Sequence, residues 1–247
     1  MKPKPPEQPE TIYPKLLKQL RDILGEDLLG LAVFGSAAGS RYIKGRSDIN
    51  LMILTADDSG HRLGRLMDFY QQWAPAMVAV PVVVTPSYLA SSLDVFPIEF
   101  LVMSAERKLL YGQDPLADLQ INPAHLRLQL ERELKAKTMA MRSRLIMSGG
   151  KKEELKALIV EALPAFSALF KAYLQLTKGG FPHHPASVLE AMEDAGVKLS
   201  AFHQMERVKI GDLKLSAGEM TELVEKALAE LSDLGKNVDQ LAIAKES

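Results

Sequence analysis

The chain has 247 residues, of which 47% are hydrophobic and 25% are charged, a composition typical of a globular protein with one large or two modest domains. A formal net charge of −1 excludes a general electrostatic attraction to nucleic acid or to an anionic membrane. Cysteine is absent, which excludes disulfides, thiolate metal sites and cysteine nucleophiles and favours a reducing, cytoplasmic environment.

The N-terminal segment MKPKPPEQPE is rich in proline and charge. It lacks the apolar core of a signal peptide, so we expect residues 1–10 to form a loose tail. No apolar run approaches the length that is needed to cross a bilayer, and a membrane partner is therefore not expected.

Residues 11–120 alternate between helical and strand patterns. Apolar residues at helical spacing predict helices at 11–25, 37–43, 60–74 and 86–93. Short apolar or β-branched runs predict strands at 28–34, 49–54, 77–85, 96–103 and 108–111. This alternation predicts a domain built on a small mixed β-sheet with helices packed on it.

After residue 120 the strand patterns stop. Helices are predicted at 123–147, 151–177, 186–195 and 219–241, with Ser216 in the segment that caps the last one. Residues 121–247 are therefore expected to form an all-α helical bundle. The fold class predicted for the whole chain is α+β, a small mixed sheet followed by a bundle.

The segment LAVFGSAAGSRYIKGRSDINLMIL, residues 31–54, carries the main functional motif. Gly35-Ser36 ends one apolar strand, and glycine there lets a backbone approach a phosphate closely. Asp48 and Asn50 begin the next strand, where residues two apart project to the same face. Two oxygen-bearing side chains beside a phosphate pocket suit a divalent metal bound to a nucleotide.

The segment resembles the signature of the nucleotidyltransferase superfamily, which includes DNA polymerase beta and kanamycin nucleotidyltransferase. That signature is Gly-Ser, a spacer of similar length, and Asp-hydrophobic-Asp/Glu, with a third carboxylate on a later strand. The resemblance implies a nucleoside triphosphate (NTP) and Mg²⁺ as cofactors, with Asp48 and Asn50 at the metal positions and Asp48 catalytic. The candidate phosphate-binding residues of this segment are Gly35, Ser36, Ser40 and Arg46, because hydroxyls can donate to phosphate and Arg46 supplies positive charge. The alternative for the basic residues is a solvated loop.

The chain departs from this signature at two places. Asn50 is an amide where the superfamily has a second acid, and the predicted strand 77–85, MVAVPVVVT, has no acid. Glu99, embedded in an apolar run, is the candidate third carboxylate and second catalytic residue, because an unpaired acid there is costly. The alternative is an ion pair between Glu99 and Arg107 or Lys108.

The sequence is compatible with two functions. The first is an enzyme that transfers a nucleoside monophosphate from an NTP to a hydroxyl acceptor, and the second is a degenerate pseudoenzyme, a nucleotide- or partner-binding module of a regulatory or antitoxin-like kind. Nucleotide is the expected partner in both, with a protein or a second copy of the chain as a further candidate. The basic residues of helix 123–147 leave nucleic-acid binding open, beside the alternative of a solvated helix face.

Overall fold

The computed structural model describes residues 3–57, 63–117 and 119–241. The chain divides into two compact units, Met1–Asp94 with Phe100–Gln120 and Val95–Glu99 with Ile121–Ser247. The α+β fold class is confirmed, since a mixed sheet occurs in the first unit and the second is helical.

The first unit contains a four-stranded sheet with the strand order β3-β2-β1-β4. The strands are β1 Leu28–Phe34, β2 Asn50–Thr55, β3 Val82–Val84 and β4 Arg107–Gly112. Strand β1 is antiparallel to β2 and β4, whereas β2 and β3 are parallel. The antiparallel pair β1–β2 brings the end of β1 beside the start of β2.

Helices cover one face of this sheet with apolar side chains. The described helices that begin in residues 3–117 are α1 Tyr13–Leu24, α2 Leu66–Trp73, α3 Pro86–Ser92 and α4 Pro97–Ala105. Leu16 and Leu20 of α1 and Phe69 of α2 are fully buried in one cluster with sheet residues such as Val33 and Leu51. Burying such side chains stabilises the fold by about 1.5–3 kcal/mol each.

Three predicted elements are wrong or shorter than predicted. Residues 96–103 form helix α4 instead of a strand, and proline at the first helical position, Pro97, is the signal of its start. The predicted helix 37–43 is absent, and the short 3-10 helix Gly35–Ala38 takes its place. The predicted strand 77–85 is reduced to Val82–Val84 and one isolated bridge at Val78. The start of the predicted helix 60–74 lies outside the described residues.

The N-terminal segment that was expected to be loose makes defined contacts over residues 3–10. The Tyr42 hydroxyl donates to the carbonyl oxygen of Pro6 at 3.1 Å, and Lys44 forms an ion pair with Glu7. Pro9 is buried in a short 3-10 helix. The segment therefore packs on the loop that follows β1.

The second unit is a set of packed helices, as predicted. Its helices are α5 Pro123–Met147, α6 Lys152–Lys178, α7 Pro185–Asp194, α8 Ser200–Ile210 and α9 Ala217–Asp239. Helix α8 was not predicted. Its Phe202 lies in the core, with ring centroids 5.0 Å from Phe170 and 5.7 Å from Phe166 of α6.

Helix α6 is long and apolar enough to span a membrane by length and composition. Within the described residues, 56% of its most apolar window is buried inside the fold. The core helix of a bundle has the same properties, so this is weak evidence for a membrane span.

Candidate functional site

The site begins at a tight turn where β1 ends. Gly35 has a φ of +73°, a conformation that residues with a side chain rarely adopt. The 3-10 helix Gly35–Ala38, called the Gly-Ser turn below, starts here. Tyr13 of α1 fixes its far end, because the buried Tyr13 hydroxyl donates to the Ala37 carbonyl oxygen at 2.5 Å. Burial also raises the pKa of Tyr13, so the hydroxyl stays a donor across the physiological range.

The backbone amide of Gly35 already has a partner. It donates to the carbonyl oxygen of Glu106 at 2.8 Å. The first N–H of the Gly-Ser turn is therefore not available to a phosphate, which would have to approach the donors that follow it.

Asn50 lies beside this turn because of the antiparallel register. Phe34, the last residue of β1, is paired with Asn50, the first residue of β2. Ile49 and Leu51 are buried in the helix-covered core, so Asn50 points to the other face. Asp48, two residues earlier, precedes β2 and is exposed.

The Asn50 amide and the Gly-Ser turn border the same space. A Cβ atom built on Gly35 would lie 3.4 Å from Nδ2 of Asn50. Within the described ranges, the side chains of Ser36, Asp48 and Asn50 form no hydrogen bond or ion pair. Three polar groups without protein partners thus occur along two adjacent segments.

Two of the three cations in the loop after the turn are neutralised. Arg41 forms an ion pair with Glu106, and Lys44 forms one with Glu7. Arg46 is exposed and has no ion-pair partner in the described part of the chain. Among the described residues, Arg46 is therefore the cation of this loop that is left free to meet an anionic ligand, while Ser40 is exposed on the same loop.

The sheet position next to Asn50 carries no acid. Ile49 is bridged to Val78, and Met52 is paired with Val82. Between these two pairs, the segment before β3 has three residues, whereas β2 has two. The three residues are Ala79, Val80 and Pro81. Pro81 has no N–H to donate, which explains why regular pairing starts only after it. Val80 is 66% exposed, and none of the three residues is an acid, although the resemblance implies a third carboxylate on a later strand.

Comparison with known proteins identifies a solved structure with a similar architecture. No family model matches the chain, and no curated protein matches it significantly. Among solved structures, it is similar to spectinomycin adenyltransferase AAD(9) from Enterococcus faecialis with ATP and spectinomycin. The TM-score is 0.52 at 12% identity, and the match covers 90% of this chain and 99% of that one.

The chain has the nucleotidyltransferase fold. The resemblance that rested on Gly35, Ser36 and Asp48 is therefore confirmed at the level of fold. At 12% identity the similarity transfers neither a substrate nor a catalytic role.

Glu99 lies on a helix and not on a strand of this nucleotidyltransferase fold. It occupies the first turn of α4, is exposed, and accepts a hydrogen bond from Nε2 of Gln129 at 2.7 Å. The buried Gln129 also accepts from the backbone N–H of Ile98 at 2.8 Å, which satisfies a free amide at the helix start. The alternative of an ion pair with Arg107 or Lys108 is not seen, because Arg107 pairs with Asp114 and Lys108 with Glu10. A catalytic role for Glu99 stays a prediction.

The donor set does not fit a two-metal centre. Asp48 supplies one carboxylate, Asn50 supplies a neutral amide, and no group of three or more His, Cys, Asp or Glu side chains in the described ranges is placed to hold a metal. A two-metal centre needs several anionic oxygens that clamp both ions.

The sequence did not identify Tyr13 and Glu106, which position the Gly-Ser turn. Both contacts join segments distant in sequence, and neither residue stands in a recognisable motif. The apolar spacing of α1 did place Tyr13 in a helix, but its hydrogen bond depends on tertiary packing.

Proposed function

We propose that this chain is a nucleotide-binding module of the nucleotidyltransferase fold, with an NTP bound at the Gly-Ser turn. The observation that carries the proposal is the amide of Asn50, which has no partner among the described residues and whose Nδ2 atom lies 3.4 Å from the position of a Cβ on Gly35. Asn50 is half-buried, and its amide is not one of the described polar atoms that are closed off from solvent, so a phosphate oxygen over the turn can reach it.

Two further features support the nucleotide as the ligand. Gly35 leaves open the space that a side chain would fill, and the exposed Arg46 supplies a free positive charge. The crystal structure of the similar adenyltransferase contains ATP and spectinomycin. A module of this kind would act in the cytoplasm on a protein partner or on a second copy of the chain.

A second candidate is transfer of a nucleoside monophosphate to a hydroxyl acceptor. The unpaired, exposed carboxylate of Asp48 favours it, since a metal-bound nucleotide can be held by one carboxylate and its own phosphates. The missing second and third acids count against it. A loss of several kcal/mol of transition-state stabilisation would slow transfer by roughly two to four decades.

Isothermal titration calorimetry with ATP, GTP, CTP and UTP in the presence of Mg²⁺ tests the proposal. At least one nucleotide is expected to bind the wild-type protein, and Arg46→Ala is expected to weaken binding by about threefold or more, because it removes a charge that faces phosphate. Lys18→Ala is the matched control, as it removes an exposed cation of α1. Absence of binding by all four nucleotides would refute the proposal.

A further inference from the structure

The chain has the nucleotidyltransferase fold, but its described residues lack a full set of acidic metal ligands at the site. Where a site presents two carboxylates to a triphosphate, both sides are anionic, and a divalent cation must lie between them. This chain keeps Asp48 but has Asn50 at the second position and the apolar Val80 on the neighbouring segment. The electrostatic reason for a bridging cation is thus largely removed.

Asn50 offers a different way to hold the same ligand. Its Nδ2 group is a neutral donor of two hydrogen bonds, whereas a carboxylate only accepts them. The group borders the Gly-Ser turn and is unpaired within the described ranges. Because the Gly35 N–H is occupied by Glu106, the side-chain donors left beside this glycine among the described residues are the Asn50 amide and the Ser36 hydroxyl.

We propose that the site binds its nucleotide without a divalent metal, through a direct hydrogen bond from Asn50 Nδ2 to a phosphate oxygen and the charge of Arg46. This inference rests on the proposed function and specifies its ligand as the metal-free nucleoside triphosphate. A hydrogen bond to a charged acceptor is stronger than one between neutral groups, which suits a phosphate better than water.

Asp48 opposes this mode of binding, because its carboxylate repels phosphate. The carboxylate is exposed, however, so water and salt screen its field. Arg46 lies two residues before it and carries no competing ion pair among the described residues. The two opposite charges leave the loop close to neutral. The direct hydrogen bond from Asn50 then determines whether phosphate is bound.

Calorimetric titration with a non-hydrolysable ATP analogue, in excess EDTA and in Mg²⁺, tests the inference. The wild-type Kd is expected to agree within about threefold between the two conditions. Asn50→Asp replaces the donor by an anion, so binding in EDTA is expected to fall by about tenfold or more. Mg²⁺ is expected to restore part of this loss, since the variant then presents two carboxylates to the ion.

Asn237→Asp on α9 is the matched control for the chemical change, and it is expected to bind like the wild type in both conditions. Thermal unfolding of each variant verifies that it is folded. Arg46→Ala provides an independent arm, in which the loss is expected in EDTA and in Mg²⁺ alike. Wild-type binding that requires Mg²⁺, or unchanged binding by Asn50→Asp in EDTA, would overturn the inference and leave nucleotide binding itself intact. No binding in either condition would refute the proposed function.

Discussion

The side chains of Arg41 and Glu106 form an ion pair that connects the loop after the Gly-Ser turn to the start of β4. The two residues are 65 positions apart, and their side chains are 29% and 16% exposed. The backbone carbonyl of the same Glu106 accepts the Gly35 N–H. One residue thus fixes both the entry to the Gly-Ser turn and the loop that follows it.

Gly39 makes room for this ion pair, and Gly39→Ala is expected to disturb it. A Cβ on Gly39 would lie 2.6 Å from Oε1 of Glu106, so the carboxylate must shift from the position in which it pairs with Arg41. We expect a loss of about 1 kcal/mol in the free energy of unfolding, measured by urea denaturation. Gly218→Ala is the control, because its Cβ meets nothing within 4 Å and lies in helix α9. An equal or smaller loss for Gly39→Ala than for Gly218→Ala would contradict the prediction.

Substitution of Gly30 tests how closely β1 packs against the backbone that follows β4, behind the site. A Cβ on Gly30 would overlap the backbone carbonyl oxygen of Gln113, which cannot rotate away as a side chain can. Gly30→Ala is therefore expected to lower the free energy of unfolding by about 3 kcal/mol, well beyond the cost of Gly39→Ala. Urea denaturation of both variants gives the comparison. A loss for Gly30→Ala below that for Gly39→Ala would show that the strands separate easily here.

Local patterns predicted much of the fold. The strand at 28–34 and the helix at 123–147 have the predicted bounds, since each has one consistent periodicity between clear end signals. The segment 96–103 was misassigned because a short apolar run fits a buried strand and a buried helix equally well. Helix α8 was missed although Phe202, Met205 and Val208 follow helical spacing.

The site was only partly predictable. The closeness of Gly35 and Asn50 follows from two strands that pair in antiparallel register, and the spacing of the motif implied both strands. The roles of Glu106 and Tyr13 could not be predicted, because they depend on contacts between distant segments. The helix expected after Gly35-Ser36 proved to be one 3-10 turn, so the dipole of a long helix does not contribute to this site.

The N-terminus of α9 is expected to make the stability of the protein depend on pH. Ser216 and Glu219 form a capping box, and hydrogen bonds from the Ser216 hydroxyl and backbone N–H hold the pKa of Glu219 below its usual value. A lowered folded-state pKa stabilises the protein above the usual carboxyl range, and this stability is lost as pH falls through the folded-state value. Glu219→Gln is therefore expected to be less stable than wild type at pH 7 and to match it in acid.

Thermal unfolding from pH 7 to pH 3 measures this convergence. Glu222→Gln on the same helix is the control, since Glu222 forms no ion pair or hydrogen bond within the described residues. A gap between wild type and Glu219→Gln that stays constant over this range would contradict the assigned cause.

Metal binding without nucleotide is expected to be weak in the wild type. Asp48 supplies the one reliable negative charge of the motif, and Mg²⁺ favours several anionic oxygens. Asn50→Asp adds a second carboxylate and is expected to tighten Mg²⁺ or Mn²⁺ binding, measured by titration calorimetry. Asn237→Asp controls for the added charge. Unchanged affinity in Asn50→Asp would mean that Asn50 does not occupy a metal position.

Transfer activity separates the binding module from the enzyme. In-line transfer needs charge on both the attacking and the leaving oxygen, which one carboxylate cannot clamp alone. We expect no transfer by wild type in a radiolabelled NTP assay with cell extract as the pooled acceptor. Asn50→Asp alone is not expected to restore it, because the segment beside Asn50 still presents Val80 instead of an acid.

The double variant Asn50→Asp/Val80→Glu extends this assay. It supplies three carboxylates together with Asp48, and a gain in Mg²⁺ affinity over Asn50→Asp would support Val80 as the third position of the site. Transfer by wild type that is abolished by Asp48→Ala would favour the enzyme over the binding module. Transfer that survives Asp48→Ala would contradict both functions, because the one acid that matches the motif would then be dispensable.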